Sequence, residues 1–143
     1  MQVKDVMSEK VEYLEPGSTI MEAAQRMKEL GCGFLPVGDK KDQKLQGVIT
    51  DRDIVVRGIA EGLDPKKTPI SKVETEKVLY CFADDDVEKA ARSMQDQRVY
   101  RLIVLNTQKD KQLCGIVTLG DIMRNGAPEV AGEAARSILE KVA

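Results

Sequence analysis

The chain contains two copies of one unit, and this constrains its fold more than any other feature. Ile20-Met21-Glu22-Ala23-Ala24-Gln25-Arg26-Met27 aligns with Val87-Glu88-Lys89-Ala90-Ala91-Arg92-Ser93-Met94 at a shift of 67 residues (87 − 20). Gly47-Val48-Ile49-Thr50-Asp51-Arg52-Asp53-Ile54 aligns with Gly115-Ile116-Val117-Thr118-Leu119-Gly120-Asp121-Ile122 at a shift of 68 (115 − 47). The extra residue falls in two charged segments without periodicity, Gly38 to Lys44 and Asn106 to Gln112. Those segments read as hairpin loops, where a change of length costs little.

Each copy reads as β-α-β-β-α. In the first, Val11 to Leu14 is a short extended run ended by Pro16-Gly17. Thr19 with Glu22 three residues on has the form of a capping box. Ile20, Ala23, Ala24, Met27 and Leu30 follow at helical spacing until Gly31 and Gly33 stop the helix. Phe34 to Val37 and Leu45 to Thr50 read as strands, then Asp51 to Glu61 as a helix carrying Ile54, Val55 and Ile59. The second copy repeats the order as Val78 to Phe82, Asp86 to Gln97, Tyr100 to Leu105, Leu113 to Thr118 and a short helix to Arg124. A unit this small cannot cover a sheet that is apolar on both faces. The expectation is therefore an α+β fold: two repeats about a pseudo-twofold, sheets face to face and helices outside. The segments are 1–68 (first repeat with its linker from Gly58 to Pro69), 69–125 (second repeat) and 126–143 (helical tail). In the tail, Ala131, Ala134, Ala135, Ile138, Leu139 and Val142 form an apolar stripe suited to closing over the chain's own core or over a neighbouring subunit.

Composition removes several functions. The 143 residues carry 22 Lys plus Arg against 24 Asp plus Glu, a net charge of −2 that gives no reason to expect nucleic acid or an acidic membrane as partner. Aromatic residues are only 3%, too few for base-stacking recognition. With no histidine, the commonest general base, the Ser–His and Cys–His nucleophile pairs and His-containing metal sites are all absent. Cys32, Cys81 and Cys114 are widely spaced and read as reduced thiols rather than as a disulfide or zinc framework. Asp84-Asp85-Asp86 at a helix start reads as dipole-favoured carboxylates rather than as a metal cluster. Gly31-Cys32-Gly33 lacks the third glycine of a dinucleotide fingerprint. No stretch approaches the ~20 apolar residues of a membrane helix, and the first residues lack a signal-peptide layout. The reading is a non-enzymatic cytoplasmic protein with no catalytic residue, no metal and no catalytic cofactor.

The chemistry that remains is a pair of T-x-x-D turns, Thr50-x-x-Asp53 and Thr118-x-x-Asp121, each where a strand end becomes a helix start. Such residues are good helix caps, worth ~1 kcal/mol each. The same place also suits a nucleotide: free N–H groups for a phosphate, and a carboxylate able to accept both hydroxyls of a ribose.

These turns, with Lys4-Asp5-Val6-Met7, Gly33-Phe34-Leu35-Pro36-Val37 and the run Asp51-Arg52-Asp53-Ile54-Val55-Val56-Arg57-Gly58 through Gly62-Leu63-Asp64-Pro65, resemble the cystathionine-β-synthase (CBS) domain pair, especially small stand-alone bacterial members. The resemblance runs from Lys4 to Arg124. It implies a regulatory sensor that binds an adenosine-containing ligand in clefts between the repeats: AMP, ADP or ATP first, with NAD or S-adenosylmethionine in some relatives. By position, Asp53 and Asp121 would hold ribose hydroxyls, and Thr50 and Thr118 ribose or phosphate. Phe34, Leu35 and Pro36 would border one adenine. Arg101, aligned with Phe34, would reach phosphate, Arg52 would aid phosphate in the first cleft, and Tyr100 would stack on adenine. The family also implies a disc-like homodimer and a protein effector. This sequence departs from the pattern at Ile103, where proline is usual, and at Leu119-Gly120, which replace Asp51-Arg52. The clefts are thus chemically unequal, with at most one expected to bind well. The alternative reading is a dimeric structural or interaction protein whose clefts are vestigial.

Overall fold

The computed structural model describes residues 1–42, 44–125 and 127–140. Gln43 of the first loop, Gly126 at the head of the tail and Val142 of its stripe lie outside the described residues. The fold is α+β, with α1 (Ile20–Leu30), β1 (Phe34–Asp39), β2 (Lys44–Thr50), β3 (Tyr80–Phe82), α2 (Val87–Gln97), β4 (Arg101–Leu105), β5 (Leu113–Thr118), α3 (Leu119–Arg124) and α4 (Pro128–Glu140). It forms two compact units, and these are not cut where the linear repeats meet. Glu12–Val78 forms one; Met1–Val11 joins Leu79–Ala143 in the other.

In the unit Glu12–Val78, Thr19 Oγ1 accepts from the Glu22 amide at 3.1 Å, the forward half of the expected box. The spacing of Ile20, Ala23 and Met27 then turns all three into the core. Gly31 ends α1 in the left-handed region (φ 65°), its N–H on the Met27 carbonyl. β1 and β2 pair antiparallel, Phe34 opposite Thr50 and Leu35 opposite Ile49. Each is extended by one bridge: Leu14 runs parallel beside Val37, and Thr75 antiparallel beside Val48. The expected extended run Val11 to Leu14 is thus a bridge at Leu14 alone. The linker does not leave this unit. The amides of Ile20 and Met21 bond the carbonyls of Thr68 (3.0 Å) and Pro65 (2.9 Å), and Ile70 N–H bonds the Ser18 carbonyl at 2.8 Å. Ile70 and Val73 then complete the core with Leu35, Val37, Ile49 and Ile54. Each fully buried aliphatic there contributes about 1.5–3 kcal/mol.

The helix expected over Asp51 to Glu61 begins at Asp51 but widens into π-helical turns over Asp53–Ile59. The Ala60 amide reaches back five residues to the Val55 carbonyl at 2.9 Å. This winding keeps Ile54 buried and leaves Val55, Val56 and Ile59 exposed.

In the other unit β3 runs parallel to β4, and β4 antiparallel to β5. Ser8 bridges Ile116, the counterpart of the Thr75–Val48 bridge. The amides of Val3 and Lys4 bond the carbonyls of Asp85 (2.8 Å) and Ala83 (2.9 Å), tying the chain start to this unit. α2 ends at Arg98, which takes the left-handed conformation (φ 58°) that Gly31 takes in the first copy. The tail closes over its own unit: α4 packs on α2 and α3 and buries Ala131, Ala134 and Ile138 in a core with Met94, Val104 and Ile122. The three aspartates at the head of α2 act separately. Asp85 accepts from the Phe82 amide at 2.9 Å and pairs with Lys89, Asp84 pairs with Lys4, and Asp86 is the N-cap residue.

Candidate functional site: two equivalent turns with unequal partners

Both T-x-x-D turns have the same backbone. The Asp51 amide bonds the Gly33 carbonyl and the Leu119 amide the Tyr100 carbonyl, each at 2.9 Å. Phe34 stands opposite Thr50, and Arg101 opposite Thr118. In both, threonine and aspartate cap each other. Asp53 N–H donates to Thr50 Oγ1 and Thr50 N–H to Asp53 Oδ2, each at 3.0 Å. Asp121 N–H donates to Thr118 Oγ1 at 3.0 Å, and Thr118 N–H to Asp121 Oδ2 at 2.9 Å. The amide at the third helical position is therefore taken by the cap in each turn. What each turn can offer a ligand rests on the remaining carboxylate oxygen, Oδ1.

Here the copies diverge. Asp53 is buried, and the Thr75 hydroxyl lies 3.1 Å from Oδ2 and 3.2 Å from Oδ1. Arg57 Nη1 lies 3.7 Å from the same Oδ1 and donates to the Glu74 carbonyl at 3.0 Å. A carboxylate gripped this way must shed the Thr75 hydroxyl to receive a diol. Asp121 is freer: Oδ1 accepts from Arg124 Nη2 at 2.8 Å, and the Arg124 side chain is 70% exposed. The Asp121 side chain itself is 15% exposed against 11% for Asp53, so the copies differ in the partner of Oδ1 rather than in burial.

The structure gathers Phe34, Thr50, Arg52 and Asp53 at one sheet end of the unit Glu12–Val78. Tyr100, Arg101, Thr118 and Asp121 gather at the matching end of the other unit. Leu35 and Pro36 are buried, Leu35 within the core; Phe34 is half-buried, and Arg52, Tyr100 and Arg101 are exposed. Sequence reasoning missed Arg57, Arg124, Glu74 and Thr75. The two arginines carried a signal, standing four and three residues after the aspartates on helical chain.

Glu74 sits over Gly47, where a Cβ would lie 3.1 Å from its Oε2. That oxygen is buried without a hydrogen-bond partner, and burial together with neighbouring Glu76 raises the pKa of the carboxyl. In the other unit the equivalent glycine, Gly115, is covered by the Met7 thioether. One copy fills this slot with an apolar side chain, the other with a carboxyl.

A CBS domain family model matches residues 3–58 and again 70–127. The uncharacterized protein YlbB of Bacillus subtilis is 36% identical over 140 residues, covering 97% of this chain and 92% of that protein. Hypoxic response protein 1 of Mycobacterium tuberculosis is 35% identical over 123 residues (85% of this chain, 82% of that protein). Its crystal structure, with two coordinated zinc ions, superposes with a TM-score of 0.74 at 33% identity and covers 87% of this chain and 98% of that one. This chain has no histidine, and no group of three or more His, Cys, Asp or Glu side chains that could hold a metal ion lies among the described residues. The CBS domain pair of protein MJ0100, in complex with 5′-methylthioadenosine and S-adenosyl-L-methionine, superposes with a TM-score of 0.76 at 28% identity (90% of this chain, 98% of that one). No helix among the described residues is long and apolar enough to cross a membrane.

Proposed function

The chain belongs to the CBS-domain family, two domains in tandem, and from this premise we propose that it is a non-catalytic regulatory module whose Thr–Asp turns hold the ribose of an adenosine-containing ligand. AMP, ADP or ATP are the preferred candidates. The observation that carries the reading is the duplicated turn itself, in which the cap fixes one carboxylate oxygen and aims the other. The adenosine derivatives bound to MJ0100 support the ligand class.

In the second copy, Asp121 takes the ribose diol and Thr118 the neighbouring sugar or phosphate oxygen. Arg101 and Arg124 answer the phosphate charge, a role suited to planar, permanently charged guanidinium groups. Tyr100, 42% exposed at the base of the turn, supplies a face for adenine. In the first copy Asp53 and Thr50 take the same roles, with Phe34, Leu35 and Pro36 bordering the base and Arg52 near the phosphate. The Thr75 and Arg57 contacts on Asp53 make this the weaker turn. The module works in the cytoplasm as a homodimer and passes ligand occupancy to a protein effector.

Calorimetry on protein stripped of small molecules, with AMP, ADP, ATP, 5′-methylthioadenosine and S-adenosylmethionine, tests the reading. Binding below the millimolar range that Asp121→Ala weakens at least tenfold supports it. If none of the five binds and the substitution changes nothing, the module is an interaction scaffold. The burial of Asp53 favours that second reading for the first copy.

A further inference from the structure

We propose that Arg124 is a displaceable latch on the second turn, closed on Asp121 Oδ1 until a ligand's phosphate draws it away. The turn then selects adenosine ligands that carry a 5′-phosphate over those that do not. This rests on the ribose reading of the second turn and adds what closes that turn and what opens it.

Gly120 lets the arginine reach its target. A Cβ at this position would lie 3.0 Å from Arg124 Nη1 and 3.6 Å from its Cζ, so the guanidinium rests where a side chain would otherwise begin. From that seat Nη2 donates to Asp121 Oδ1 at 2.8 Å, the oxygen that the threonine cap leaves over. The glycine serves this close approach and not a special backbone, since the positive φ angles belong to Gly31 and Gly62. The first repeat lacks both halves of the device: Arg52 stands at the place of Gly120, and Val56 at that of Arg124. Its own arginine, Arg57, comes one residue later and is anchored to the fold by the Glu74 carbonyl at 3.0 Å. Arg124 is 70% exposed, and its one ion pair among the described residues is with Asp121.

A ribose must take Oδ1 from the guanidinium before both of its hydroxyls can be accepted. For adenosine that displacement is a cost without return. An exposed pair of this kind reduces the open fraction of turns about two- to fivefold, and the apparent affinity falls by the same factor. For AMP the released guanidinium, still beside the turn, meets a phosphate through charge-assisted bonds that its planar fork makes in pairs. Losing those bonds costs about tenfold in affinity. Leu119 stands where the first turn has Asp51, so no second carboxylate competes for the guanidinium or repels the phosphate. The latch thus filters ligands by charge, against the uncharged 5′-methylthioadenosine and the cationic sulfonium of S-adenosylmethionine as well as against adenosine.

Calorimetry on the full chain, with AMP and adenosine each titrated into wild type, Arg124→Met and Gly120→Val, is the test. Arg124→Met removes the cation and keeps much of its length; Gly120→Val fills the seat and leaves the cation in place. The wild type is expected to bind AMP at least about tenfold more tightly than adenosine. In Arg124→Met the two ligands move in opposite directions, adenosine tightening about two- to fivefold and AMP weakening about tenfold. In Gly120→Val adenosine tightens likewise, while AMP stays near its wild-type affinity because the freed guanidinium still reaches the phosphate. Circular dichroism confirms that each variant is folded, and Arg124→Met decides alone should the valine disrupt the turn. If both ligands weaken together in Arg124→Met, or neither shifts, the latch is overturned while the ribose reading stands. If neither ligand binds wild type or variant, the ribose reading falls and the latch with it.

Discussion

Replacing Glu74 by methionine is expected to stabilise the protein, which is unusual for a substitution at a buried site. Glu74 is 8% exposed, its Oε2 has no hydrogen-bond partner, and it rests on Gly47. The other copy shows that methionine fits such a slot, since Met7 covers Gly115 in the same position. Relieving one unsatisfied buried polar group gains roughly 1–3 kcal/mol. For a chain of this size that raises the melting temperature by roughly 3–10 °C. The gain depends on pH. The carboxyl has a pKa raised above its ordinary 4.5 in the folded chain, so the protonated form is the one the fold prefers. Its contribution is intact below the pKa of the unfolded chain and is lost as pH rises through the folded value. The advantage of Glu74→Met is therefore small at pH 4 and full at pH 7. Melting followed by circular dichroism from pH 4 to 8 at constant salt measures it, with Glu74→Gln as a control that removes the titration but keeps the unsatisfied polarity. A lower melting temperature for Glu74→Met at pH 7, or the same gain at every pH, would refute the reasoning.

The two aspartates are expected to separate stability from binding. Asp53→Asn disturbs a buried network with Thr50, Thr75 and Arg57 and lowers stability by roughly 1–3 kcal/mol in urea titration, with little effect on ligand affinity. Asp121→Asn disturbs a cap and one exposed pair, costs about 1 kcal/mol or less, and reduces nucleotide affinity at least tenfold by calorimetry. The thiols are expected to differ in reactivity toward a disulfide reagent at pH 8. Cys32, which is exposed, reacts first. Cys114, raised by burial, reacts slowly, and Cys81, pushed up to about 12 by burial, reacts only on unfolding.

Local signals carried most of the elements. β5 spans Leu113–Thr118 as its apolar run indicates, and α2 begins one residue after the cap position Asp86. The widened helix after β2 escaped because helical spacing of Ile54, Val55 and Ile59 assumes an ordinary α turn, and π winding rotates two of them to the surface. The composition of the units escaped for a different reason. Repeat alignment assigns a segment to the copy it sits in, whereas backbone bonds assign it to the sheet it completes. The start of the chain bonds Asp85, Ala83 and Ile116, and the segment Ile70 to Thr75 bonds Ser18 and Val48. No local propensity reports such long-range pairings.

That exchange also decides the chemistry of the turns. Thr-x-x-Asp specifies the reciprocal cap, which uses Oδ2 identically in both copies. It says nothing about Oδ1, whose neighbours are an arginine one turn further on and, for Asp53, a threonine from elsewhere in the chain. The segment bridging β2 brings Thr75 onto Asp53; in the other unit Ser8 makes the corresponding bridge to Ile116, and Asp121 Oδ1 is held by Arg124. A duplicated motif thus yields two different carboxylates: both are capped through Oδ2, but Oδ1 is met by Thr75 and Arg57 in one and by an exposed arginine in the other. Their difference follows from Thr75, far from the motif in sequence, and from whether the arginine stands four or three residues after the aspartate, and a functional reading of such a repeat must weigh those residues as heavily as the aspartates.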